Sequence, residues 1–87
     1  MDYRKELSQA NIDKNKYELE KLINTIKADV SYLDKWFDMF IEKFSDRMDV
    51  EDRSSPVWKK YYERFDEYSD LQRQLMTAEY YIQNVGK

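Results

Sequence analysis

Leu19, Ile23, Ile26, Val30, Leu33, Phe37, Phe40 and Phe44 follow one another at steps of 4, 3, 4, 3, 4, 3 and 4 residues, and every one is apolar. A repeat of this kind marks an α-helix lying at a shallow angle along another helix. The frame reaches back to Ile12 and fails at Lys16, Gln9 and Lys5. Leu22, Trp36 and Ile41 flank the stripe and widen it beyond a two-stranded seam, so contact with more than one helix is expected. No Pro or Gly interrupts residues 1–55. The spacing therefore predicts a first helix over residues 13–48, about 54 Å long at 1.5 Å per residue. Residues 1–12 either extend it or form a short helix of their own over Tyr3–Ala10, with Asn11 and Asp13 as candidate caps.

Residues 49–55 form a polar break apart from Val50. Ser55 before Pro56 reads as an N-cap followed by the first helical position, where a missing N–H does no harm. A second helix is predicted over residues 56–85. It carries Trp58, Tyr61, Phe65, Tyr68, Leu71, Leu75, Ala78, Ile82 and Val85 at steps of three or four, and Gly86 stands where a helix ends. Two long helices joined by a short break fold back on each other. The expected fold is all-α: one domain built as an antiparallel helical hairpin.

Such a hairpin buries one stripe per helix, and small cores are marginal. Tyr17, Tyr32, Trp36, Met39, Tyr62, Met76, Tyr80 and Tyr81 fall outside the seam. That surface is expected to be covered by the N-terminal segment or, as the favoured solution, by a second copy in a homodimeric four-helix bundle. Phe37 and Phe40, near the middle of the paired region, are expected to be the most damaging positions to truncate.

The composition disfavours chemistry. There is no His, no Cys and a single Gly among 87 residues. The usual general base, the thiolate nucleophile, the commonest metal ligand and a phosphate-cradling loop are all missing. No cofactor or metal is expected, and no enzyme. The net charge of −3 has the wrong sign for a non-specific nucleic-acid binder. No apolar run approaches the roughly 20 residues of a membrane span, and Met1–Glu6 does not open a secretory signal. A soluble cytoplasmic protein is expected. Fourteen aromatic residues at regular spacing argue against disorder despite a mean hydropathy of −1.00.

Asp34, Asp38, Glu42 and Asp46 recur every fourth residue. Like charges at that spacing oppose helix formation by about 0.2–0.5 kcal/mol per pair. Lys35 and Lys43 are placed to offset Asp38 and Asp46 in part. Residues 29–52 hold eight carboxylates against three cations, a local charge of −5. On the second helix Glu63, Glu67 and Asp70 fall in the same half of a hairpin. Together these seven acids form a candidate surface for a basic partner; the plainer reading is a solvated face. The pairs Glu63/Glu67 and Asp66/Asp70 lack the His that a di-metal bundle adds. Trp58–Phe65 interleaves basic and aromatic residues, but its rings are seam residues. A rival interface is aromatic: Trp36, Tyr62, Met76, Tyr80 and Tyr81, residue types enriched in interface cores.

The expected role is protein–protein contact without chemistry, with a larger protein bearing a basic surface as partner. Size, acidity and the lack of reactive groups parallel those of small phage-borne antagonists of host defence enzymes, anti-CRISPR proteins among them. The Asn-, Lys-, Asp- and Tyr-rich composition fits an AT-rich source such as a phage or mobile element, which would place the chain in the host cytoplasm. This analogy makes an inhibitor the leading expectation. A scaffolding or assembly-chaperone subunit is the alternative, and a nucleic-acid-binding regulator, which the charge disfavours, comes third.

Overall fold

A computed structural model describes residues 2–85 and contains three helices: α1 (Arg4–Ile12), α2 (Lys16–Val50) and α3 (Pro56–Val85). No strand occurs among the described residues. The molecule measures 53 × 20 × 17 Å, so α2 sets its length. Gly86, the expected terminator of the last helix, lies outside the described residues.

Residues 1–12 do not extend α2. Lys14 takes a left-handed backbone conformation, with φ of 52°, and breaks the chain direction. The Asn15 N–H returns to the Ala10 carbonyl at 2.9 Å, closing the C-terminal end of α1. Asn15 then starts α2: its side-chain oxygen accepts the Glu18 N–H at 3.1 Å, satisfying one of the free donors of the first turn. The cap is thus Asn15 rather than Asn11 or Asp13. Asp13 instead takes the Gln9 side-chain amide.

α2 runs to Val50, two residues beyond its expected end, and Arg47 in its last turn pairs with Glu51 at 2.7 Å. A turn closes from Ser55 N–H to the Asp52 carbonyl at 2.9 Å, and α3 begins at Pro56 as its ring geometry favours. Ser55 occupies the expected cap position, but its hydroxyl is buried and makes no hydrogen bond.

Contacts between the long helices pair rising positions of α2 with falling positions of α3. Trp58 Nε1 donates to the Met48 carbonyl at 3.0 Å, and Phe37 lies against Tyr61 and Tyr68, with ring centroids 5.4 and 5.7 Å apart. Further along, Leu71 and Ala78 enter one cluster with Leu19, Leu22, Ile23, Ile26 and Leu33. α1 adds Leu7 and Ala10 to that cluster.

The dry core therefore sits where three helices meet. Leu19, Ile26, Leu33 and Leu71 are fully excluded from solvent, whereas Phe37, Phe40 and Phe44 are only half-buried. This moves the centre of packing away from Phe37 and Phe40. Near the α2–α3 connection only two helices are present, and each buries a single stripe against the other. Ile41 and Phe65 are accordingly 43% and 48% exposed, and the buried apolar residue there is Val57.

α1 is held by polar contacts as well as by Leu7. Tyr3 OH donates to Asp29 on α2, and Arg4 makes a two-pronged pair with Asp70 on α3. The Asp29 bond is the main reason the Tyr3 phenol is pushed up to about 12. The Arg4 guanidinium likewise holds the Asp70 carboxyl below its ordinary range.

Candidate partner-binding site

Asp34, Asp38, Glu42 and Asp46 are all exposed on α2. A four-residue step on a helix advances by about 40° per residue pair, so the ladder winds slowly around the outer side. Among the described residues none of the four pairs with a cation. Neither Lys35 nor Lys43 forms an ion pair with the ladder among the described residues. The Lys43 ammonium lies 5.4 Å from the centre of the Phe44 ring, and the Arg47 guanidinium lies 5.7 Å from the same ring while pairing with Glu51. Attraction to an aromatic face turns both cations away from the ladder.

The acids of α3 are used differently. Glu63 is exposed, but Glu67 pairs with Arg64 at 2.9 Å. Asp70 is occupied by Arg4 and by the side-chain amide of Gln74, 3.1 Å away. Glu67 and Asp70 therefore do structural work within the chain, and the uncompensated surface is the α2 ladder. The carboxylate pairs Glu63/Glu67 and Asp66/Asp70 are likewise split by these partners. Among the described residues no group of three or more acids could hold a metal ion, and no helix is long and apolar enough to cross a membrane.

The five residues of the aromatic alternative do not form one patch. Trp36 stacks on Phe40, with centroids 4.7 Å apart, under the Arg64 guanidinium. Tyr62 stacks on Trp58 and accepts a hydrogen bond from Arg53 at 2.9 Å. Tyr80 and Met76 are 65% and 71% exposed. Tyr81 turns toward α1, lining a cleft of about 200 Å³ with Arg4, Leu7 and Gln74. Tyr62 and Tyr80 are about 27 Å apart along α3 at 1.5 Å per residue, so they cannot serve one small contact.

Gln74 was not visible as a functional or structural position in the sequence. It is 1% exposed, the single fully buried polar side chain among the described residues. Its place on the Leu71–Ala78 line is the only signal that could have marked it. Phe40 and Phe44 were read as seam, yet with Val57 they floor an open groove of about 390 Å³. Comparison with protein families, curated proteins and solved structures finds no match to this chain.

Proposed function

We propose that the protein is a non-enzymatic interaction protein, an antiparallel helical hairpin braced by α1, that docks its acidic ladder on a basic surface of a larger protein and so blocks that surface. The observation that carries this reading is the uncompensated row Asp34, Asp38, Glu42 and Asp46 beside cations that turn elsewhere. Isolated like charges on one helix oppose its stability, and a Lys- and Arg-rich partner converts that into attraction and a faster encounter. The analogy with small phage-encoded antagonists places the partner among nucleic-acid enzymes, whose grooves carry that charge.

The test is affinity capture with the parent and with Asp38→Lys combined with Glu42→Lys, at about 50 and 300 mM salt. Both residues are exposed, so the fold should survive. A protein retained by the parent and lost by the variant at low salt supports the reading. Equal retention of the same protein by both means the ladder is a solvated face.

A second reading, a structural subunit that pairs into a four-helix bundle, draws on exposed Tyr62, Phe65, Met76 and Tyr80 along α3. Sedimentation at micromolar concentration gives twice the chain mass if it is right.

A further inference from the structure

The groove floored by Trp36, Phe40, Phe44 and Val57 continues the seat of α1 along the same side of the long helices. Asp29, which holds Tyr3, is followed seven residues on by Trp36 and seven further by Lys43. Gln74, which accepts the Tyr3 N–H, is preceded at the same spacing by Glu67 and Lys60. Positions seven apart share a helix face. The two long helices thus offer one track: α1 fills the part near Asp29 and Gln74, and the part from Trp36 to Arg47 is open. That open length is about 16 Å, or three helical turns.

The sign of the rim reverses along this track. Where α1 sits, the rim is acidic, and Asp29 and Asp70 take the Tyr3 hydroxyl and the Arg4 guanidinium. Around the open groove cations predominate: Lys43, Arg47, Lys60 and Arg64 surround the rings, against the two carboxylates Glu51 and Glu67. Arg47 and Arg64 each give one N–H to a carboxylate, Glu51 and Glu67, and a guanidinium has five to give. Lys43 and Lys60 form no ion pair among the described residues. The groove is also separate from the acidic ladder. Asp38 and Phe40, like Glu42 and Phe44, are two positions apart and project to opposite sides of α2.

We propose that this groove binds an amphipathic helix of a partner protein, about three turns long, whose apolar face meets Trp36, Phe40 and Phe44 and whose flanks carry Asp and Glu. The helix would lie end to end with α1. This does not depend on the ladder's role, since the two faces differ in both position and charge. A single-stranded nucleic acid would also meet rings and cations here, but its phosphates would have to approach a chain of net charge −3, and α1 already demonstrates helix packing on this track.

The test uses the full chain and two fluorescently labelled synthetic peptides of about 16 residues. Both carry Leu at positions i, i+3, i+4, i+7 and i+11; one has Glu on its flanks, the other Lys. Anisotropy should give saturable binding of the Glu peptide, at least about tenfold tighter than the Lys peptide at low salt. Lys43→Glu with Lys60→Glu, checked for helicity by circular dichroism, should reverse that preference. Asp38→Lys with Glu42→Lys should leave it in place, which separates this groove from the ladder. Equal binding of the two peptides by the parent overturns the proposal, as does no binding up to about 1 mM. Tighter binding of a labelled oligothymidylate assigns the groove to nucleic acid instead. A dimer by sedimentation that Lys43→Glu with Lys60→Glu dissolves assigns it to a second copy, and either result overturns the proposal.

Discussion

Gln74 Oε1 accepts the backbone N–H of Tyr3 at 2.7 Å, linking the start of α1 to α3 across 71 positions. The same side chain donates to Asp70, which grips Arg4. One buried amide thus satisfies a donor that the first turn of a helix leaves free and steadies the carboxylate beside it.

Gln74→Leu keeps the volume and removes the bonds to Tyr3 and Asp70. It leaves a backbone N–H unpaired and should cost about 1–3 kcal/mol in urea unfolding. A loss below about 0.5 kcal/mol would mean water replaces the amide freely.

The docking of α1 should depend on pH at both extremes. The Tyr3 phenol titrates at about 12 in the fold against an ordinary 10.0, so its contribution is complete below pH 10 and is lost as pH climbs through 12. Asp70 is lowered by Arg4, so its contribution is complete above its ordinary range and disappears as pH falls through the depressed value. Melting temperature against pH should show an alkaline step that Tyr3→Phe removes and an acid step that Asp70→Asn removes.

Truncations should rank by distance from the three-helix end. Ile26→Ala and Leu71→Ala, at fully excluded positions, should each cost about 2–5 kcal/mol. Phe65→Ala, at a half-exposed ring, should cost less than half of that despite losing more atoms. Chemical denaturation that puts Phe65 first would relocate the core.

Asn15→Ala should cost about 1 kcal/mol by removing the α2 cap. Asp13→Ala should stay within about 0.5 kcal/mol, since Asp13 caps no N-terminus. The reverse order in thermal melts would move the start of α2.

The helical periods of α2 and α3 were readable because burying a face imposes one spacing whatever the neighbours are. The break before Pro56 was readable because ring geometry acts locally. The depth of burial was not. Phe40 and Leu33 sit at equivalent steps of one stripe, yet only Leu33 is fully excluded from solvent, in the cluster that α1 joins. Asn15 did carry a signal, with Glu18 three residues later, the pairing that opens many helices. Lys14 hid the turn, because a left-handed position is usually marked by Gly or Asn. On the candidate surface, the exposure of the ladder followed from its spacing. The turning of Lys43 toward Phe44 did not, since it depends on where a ring comes to rest.

The uneven core divides the molecule into a firm end and a loose one. The firm end is where Leu19, Ile26 and Leu71 enter one cluster with Leu7 and Ala10 of α1. The loose end is the α2–α3 connection, where the helices are tethered through residues 51–55 and meet through half-buried rings, Phe37 and Phe40 against Tyr61. Amide exchange should therefore run as a gradient, fastest beside Pro56 and slowest around Ile26. Substitutions near the connection can alter what is bound while the packing that sustains the folded state is left alone.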